Sequence, residues 1–341
     1  MDLSLGFAYF LDQLSKLLLS LGSHFSLTSL AAALGLAALF IAVRRMRKNR
    51  RVRLRTIARA LFPKRIVLSR SNFADLGFLL FGVFVYGIVF GWALLSYQFL
   101  SNAIIAALVA AFGAVKPTAL PELVSRSVTT LMLFLAYEIG YWVNHWLSHR
   151  VPLMWEFHKV HHTATVLTPL TNFRVHPIYT LIFFNILAIS TAIANGFANY
   201  LFGETAYQYA LSDTNIILVV FIHVYVHLQH TELWIPFGGV LGRIFVSPAH
   251  HQVHHSNDPA HFNKNSGSCL AVWDWMFGTL YVPAKQREKL SFGVEPDRAD
   301  AHTIRGELVA PVLRAAARIR AMVPARVPQP TATPALKRKQ A

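Results

Sequence analysis

The chain has 341 residues, of which 54% are hydrophobic and only 14% charged, and its mean hydropathy is +0.42. Soluble globular domains carry about 25% charged residues, so this composition excludes that class and intrinsic disorder alike, and points to a polytopic membrane protein. The charge is lopsided, 32 Lys and Arg against 16 Asp and Glu, which fits anionic lipid headgroups and the positive-inside rule; no RNP, zinc-finger or helix-turn-helix pattern supports a nucleic-acid partner.

A membrane-spanning helix needs about 20 mostly apolar residues. Residues 1–70 read as an N-terminal helix, a first span over 26–43 and a basic anchor. That span lacks a preceding basic region and a small-residue cleavage site, which argues against a cleaved signal sequence. From Arg44 to Arg70 stand twelve Lys or Arg and no acid, which places this stretch on the cytoplasmic side. Residues 76–115 are uncharged and too long for one passage. The second span is expected over 76–97, with 102–115 re-entrant or interfacial. Further spans are expected over 127–149, 177–201 and 213–230. Segment 246–283 is polar and aromatic. A weakly amphipathic helix over 308–323 is expected on the membrane surface, followed by a disordered Pro/Thr/Lys-rich tail. The division is therefore an anchor (1–70), a membrane-embedded catalytic region (71–290) and a basic C-terminal segment (291–341).

With 44–70 inside, the alternation of spans carries every histidine cluster to the cytoplasmic face. Lys337 and Lys339 resemble a dilysine retrieval signal, whereas the Ala/Arg-rich composition suits a bacterium. The expected home is thus the bacterial inner membrane or the endoplasmic reticulum. The single cysteine, Cys269, excludes an internal disulfide and any all-cysteine metal site.

The chain holds 16 histidines, as many as all its carboxylates. They cluster as His145-x3-His149, His158-x2-His161-His162, His176-Pro177, His227-x2-His230 and His251-x2-His254-His255. On a helix, positions i, i+3 and i+4 share a face, so each cluster projects its imidazoles into a common space. Chance predicts roughly 0.03 matches to the His-x2-His-His pattern; two are present. Neutral imidazole binds iron, zinc and copper. The candidate ligands are His145, His149, His158, His161, His162, His227, His230, His251, His254 and His255. They are too many for one four-coordinate zinc and suit two ions in all-nitrogen shells. Carboxylate di-iron bundles would instead show Glu-x2-His motifs. His176, Glu232, His250, His261 and Asn265 are candidates to support those ligands.

His145-x3-His149, His158-Lys-Val-His161-His162 and His251-Gln-Val-His254-His255 resemble the three histidine boxes of the fatty acid hydroxylase/sterol desaturase superfamily. Asn263-Lys-Asn265-Ser-Gly267, followed by Trp273-Asp-Trp-Met-Phe277-Gly278-Thr279-Leu280-Tyr281, is similar to that family's ending. The resemblance implies an all-α membrane bundle with a cytoplasmic histidine-rich di-metal cap. It also implies a non-haem enzyme with two iron ions, O2 as co-substrate and a membrane lipid as substrate. Hydroxylation or desaturation of a fatty acyl chain, sterol or related lipid is expected. His230-Thr231-Glu232 is similar to the branch that contains alkylglycerol monooxygenases, which adds ether-lipid cleavage as an alternative. No haem-attachment motif and no GxGxxG after a predicted strand is present. Electrons must therefore come from an external donor, such as a ferredoxin, a cytochrome or a reductase, which a basic face could dock. The non-enzyme alternative is a membrane metal transporter or metal-binding protein. It would need polar groups along its spans, whereas here the candidate ligands gather at one end.

Overall fold

Residues 3–116, 120–203, 207–294 and 301–322 are described by a computed structural model; the expected tail and Lys337 and Lys339 lie outside them. Helices form in chain order at Leu3–Leu19 (α1), Leu27–Met46 (α2), Leu54–Leu61 (α3), Lys64–Val67 (α4), Arg70–Phe84 (α5), Tyr86–Phe90 (α6), Tyr97–Phe112 (α7), Glu122–Arg150 (α8), Pro152–His162 (α9) and Pro177–Phe202 (α10). An apolar helical stretch follows over Ile216–Gln229. Short helices at Gly239–Ile244, Pro248–His254 and Val272–Met276 build the cap, and Ala310–Met322 is the last helix. The all-α expectation holds: the strands among the described residues are a two-residue hairpin, Ala210–Leu211 against Thr214–Asn215.

Local chemistry sets the ends of these helices. Ser26, Ser69 and Ser96 each cap a helix by accepting a backbone N–H, from Ser29, Asn72 and Phe99. Pro152 and Pro177 sit in the first turns of α9 and α10, where a missing N–H costs nothing. Gly113 and Gly203 stop α7 and α10 at φ of 82° and 81°, a region that favours glycine.

Among the described residues, four helical stretches are long and apolar enough to cross a membrane: Leu27–Met46, Tyr86–Phe112, Glu122–Arg150 and Pro177–Phe202. Three match expected spans, and the expected fifth, 213–230, is not among them, its helix Ile216–Gln229 being a shorter apolar one. The second does not. Residues 76–97 are not one helix, because the chain breaks at Val85 and again between Ala93 and Ser96. Asn185 of α10 makes the second break possible: its Oδ1 accepts from Leu95 N at 2.8 Å and its Nδ2 donates to Ala93 O at 3.2 Å. Broken helices are tolerated at membrane depth only where such partners satisfy the freed backbone. Nor is 102–115 re-entrant. α7 runs beside α10 in the same direction, with Asn195 Nδ2 donating to Ser101 Oγ at 2.7 Å and Tyr200 Oη to Gly113 O at 2.8 Å. The path from Arg70 to Gly113 is thus one net passage.

Two further expectations change. Asp213 does not begin a span; with Ser212 it forms the hairpin turn at positive φ, and the helix starts at Ile216, capped by Asn215. The helix Ala310–Met322 does not simply rest on a membrane surface. Ala315 packs with Phe157 and Tyr179, and Arg314 and Arg318 reach Glu156 on α9.

The basic anchor lies at the histidine end. Arg65 pairs with Glu232, two residues after His230, and Asp75 pairs with Arg174 at 2.5 Å. The opposite end gathers Arg126, which stacks on Tyr207 and Tyr209.

Candidate metal centre

The C-terminal end of α8 delivers His145 and His149, one turn apart. α9 follows after Val151 and delivers His158, His161 and His162. The helix Pro248–His254 delivers His251 and His254, with His255 as its C-terminal cap. His230 leaves the end of the Ile216–Gln229 stretch with φ −99° and ψ 66°. Nine imidazoles meet in two groups, within each of which the ligand nitrogens lie within 4.8 Å of one another. The first group is His145, His149, His158, His162 and His254; the second is His161, His230, His251 and His255.

Helix geometry explains the division. Successive residues turn by about 100°, so i and i+4 nearly align while i+3 points about 100° away from i+4. In α9, His158 and His162 join the first group and His161 crosses to the second. In Pro248–His254 the roles reverse: His251 and His255 join the second group and His254 crosses to the first. The second and third boxes thus contribute to both groups, and the first box to the first group alone.

The nitrogen spacing fits metal ions. In the second group, Nε2 of His230 lies 2.9 Å from that of His251, 3.2 Å from His255 and 3.3 Å from His161. In the first, Nε2 of His158 lies 3.0 Å from that of His149 and 3.2 Å from His162. Nitrogens held about 2.0–2.1 Å from one ion are separated by about 2.9–3.4 Å across the range from octahedral to tetrahedral shells. Hydrogen bonds alone cannot satisfy this packing, because a neutral imidazole has one N–H. Nδ1 of His145 lies 2.8 Å from Ser266 O, Nδ1 of His254 2.8 Å from Lys264 O, and Nδ1 of His161 3.3 Å from Arg174 O. Donation there puts the lone pair on Nε2. The Nε2 atoms of His145 and His254 are buried and have no hydrogen-bond partner among the described residues. Ring orientation by a backbone carbonyl is characteristic of metal-ligating histidines.

Burial keeps the rings neutral. His158, His162, His230, His251 and His255 titrate well below the ordinary histidine range, first because burial disfavours charge and then because neighbouring imidazoles repel it. Burial pushes His161 down to about 3 and His254 to about 4. Unprotonated nitrogens are therefore available at neutral pH. An all-imidazole donor set suits iron, zinc, copper or nickel.

Several expected residues stand elsewhere. His227 belongs to neither group: its Nε2 lies 3.2 Å from Ser29 Oγ on α2. Glu232 faces Arg65. His176 caps α10, accepting from Ile178 N through Nδ1, while its Nε2 donates to Leu308 O at 3.0 Å. His250 forms a capping box with Ser247 and its Nε2 donates to Gly242 O at 3.0 Å. His261 meets Ser256 Oγ at 3.0 Å. Asn265 ties the third-box helix to the chain at Tyr281: its Nδ2 donates to His250 O and Tyr281 O, and its Oδ1 accepts from Tyr281 N.

Two carboxylates that the sequence reading missed hold the loop beneath His145. Asp274 accepts from Ser266 N at 3.0 Å, Gly267 N at 2.8 Å, Trp142 Nε1 at 3.2 Å and Thr279 Oγ1 at 2.5 Å. Glu138, fully buried in α8, accepts from Leu270 N at 2.7 Å and Cys269 N at 3.1 Å. The available signal was an acid alone in an apolar span and another between two tryptophans.

A cavity of about 420 Å³ reaches the histidines. Phe78, Tyr86, Phe183, Phe184, Leu187 and Phe221 give it an apolar wall, and His145, His158, His161 and His230 line it from both groups. Among the described residues, no Lys, Arg, Asp or Glu lines it.

The comparisons with known proteins agree with this geometry. The family model "Fatty acid hydroxylase" matches residues 130–279. The alkylglycerol monooxygenase of Danio rerio is 26% identical over 142 residues, 42% of this chain and 27% of that protein. The alkylglycerol monooxygenase of Homo sapiens is 30% identical over 147 residues, covering 42% and 28%. The ornithine lipid hydroxylase of Rhizobium tropici is 28% identical over 133 residues, covering 39% and 35%. The match thus spans about a third or less of these relatives' lengths. No solved structure matches the chain. Residues 130–279, which carry both histidine groups, are the part of the chain that matches the fatty acid hydroxylase family model.

Proposed function

We propose that this chain is an O2-dependent, di-iron lipid oxidase of the membrane, which hydroxylates or desaturates a lipid chain. The observation that carries the reading is the apolar cavity ending on imidazoles from both groups. Iron bound at the two groups would supply O2 activation, with electrons from an external ferredoxin, cytochrome or reductase. The chain's own residues do the rest. The aromatic and aliphatic wall takes hydrocarbon out of the bilayer. The absence of lining charges favours the hydrocarbon part of a lipid over a charged headgroup. Tyr141, edge-on to both His145 and Phe183, packs between the cavity wall and the first group. Excluding water there protects a reactive centre from side reactions.

Ether-lipid cleavage is a second reading, favoured by the alkylglycerol monooxygenases among the relatives. Hydroxylation of the carbon bonded to an ether oxygen gives a hemiacetal, which separates into an aldehyde and an alcohol. The same cavity and histidines serve both outcomes. Orientation follows from charge: the basic segment shares its end of the bundle with the histidines, so that end faces the cytoplasm, where reductants are found.

The test is metal analysis of the purified protein, with O2 uptake after anaerobic reduction. About two irons per chain and O2 consumption support the reading. A redox-inert protein that consumes no O2 would fit a metal-binding or transport role instead.

A further inference from the structure

Arg174 is fully buried, and its guanidinium is satisfied from several directions. Nε donates to Asp75 Oδ1 at 2.5 Å. Nη1 donates to Thr163 Oγ1 at 2.9 Å and Glu307 Oε1 at 3.1 Å, and lies 3.0 Å from His302 Nδ1. Nη2 donates to Ser71 O at 2.7 Å. Its own carbonyl faces Nδ1 of His161 at 3.3 Å. Thr163 directly follows His162, and Glu307 also accepts from Thr163 Oγ1 at 2.8 Å. Asp75 extends the grip by accepting from Thr171 Oγ1 at 2.7 Å. Asp75 and Glu307 are themselves buried, and both lie outside the residues that match the family model.

We propose that Arg174 is a positioning residue for the second histidine group. Asp75 from α5 and Glu307 from the C-terminal segment fix its guanidinium, and thereby the backbone carbonyl that orients His161. Metal binding at the second group then depends on segments on both sides of the family region. The logic is spatial. His161 is the ligand of α9 that crosses to the second group, and among that group's imidazoles its Nδ1 faces the Arg174 carbonyl. Among the described residues, the Arg174 side chain hydrogen-bonds to Ser71, Asp75, Thr163 and Glu307 and meets His302, none of which lies on the elements that carry the other three ligands. The first group keeps His145, His149 and His254 from elsewhere in the fold. Loss of the clamp should therefore act on one site.

The proposal rests on the metal-binding reading of the two groups, and its test separates the two. Full-length protein is stripped of metal in detergent and titrated with Co2+ against a chromophoric chelator, with visible absorption reporting each bound equivalent. His251→Ala marks the second-group equivalent. Glu307→Gln and Asp75→Asn keep side-chain shape, remove one charge each, and approach Arg174 from opposite sides. Each should weaken the equivalent that His251→Ala removes by roughly 10–100-fold, leaving the other unchanged. If both variants keep native helicity and bind both equivalents as the parent does, the positioning role is overturned. It is also overturned if both equivalents weaken equally, since that marks a general loss of stability. If the parent protein binds no Co2+, the metal-binding reading itself falls, and this proposal with it.

Discussion

Asp274→Asn should release the first metal site without touching the second. Asp274 holds two consecutive backbone N–H groups, of Ser266 and Gly267, together with Trp142 and Thr279. An amide of the same shape keeps one oxygen. With that oxygen toward Ser266, Trp142 and Thr279, its NH2 faces the Gly267 N–H. One hydrogen bond to a charged acceptor is lost, about 1.5–3 kcal/mol, and one buried N–H is stranded, about 1–3 kcal/mol. The local cost is thus about 2.5–6 kcal/mol, enough to open the loop. The loop carries Ser266 O, the partner of His145 Nδ1, and ends near Glu138, which still holds Cys269 and Leu270. His145 would lose its fixed orientation, and first-group affinity should fall roughly 10–100-fold. Two-site metal titration against a chelator reads this directly. Loss of both sites together, or of neither, in a protein with native helicity would refute the clamp.

Other outcomes follow from the same geometry. His227→Ala should retain both metals, whereas His230→Ala should lose the second-group ion; equal loss in both would return His227 to the ligand set. Gly196→Ala should loosen α7 from α10, since its Cβ would come within 2.5 Å of Ile104 Cγ2, costing about 1–3 kcal/mol and lowering the melting temperature in detergent. Metal-free protein should lose stability as pH falls below the ordinary histidine value of 6.5. The buried histidines have depressed folded values, so the unfolded chain binds more protons in that window; a melting temperature constant from pH 7.5 to about 5 would contradict this. For orientation, Asn263→Cys at the histidine end and Ser212→Cys at the other are exposed sites, and Cys269→Ala removes the buried native thiol. An impermeant thiol reagent on intact cells should label position 212 and spare 263; labelling of 263 would reverse the topology.

The histidine boxes were legible because their information is local. Spacings of three and four residues on a helix bring the rings to one side; the crossing of His161 and His254 between the groups appears only in the folded chain. His227 looked equivalent to His230 by the same spacing. The helix, however, contains a π-turn at Ile222–Val226, and His230 has left the helical conformation. The angular step therefore fails there, and His227 turns to Ser29 instead. The second span was misplaced for a different reason. Its break is stabilised by Asn185, ninety residues away, and nothing in the apolar run itself announces it. Asp274 and Glu138 were missed likewise, because their partners are backbone groups of a loop that only the folded chain brings near.

The central claim is lipid oxidation by O2 at the two histidine groups. The most direct measurement compares membrane lipids by mass spectrometry in cells expressing the parent protein, the paired variants His161→Ala and His254→Ala, or none. The expected result is a lipid heavier by one oxygen or lighter by two hydrogens, or an ether lipid that disappears. That change should require O2 and be absent with either variant, although both still reach the membrane. A lipid profile identical in all four cell lines, with the parent protein inserted and loaded with iron, would contradict it.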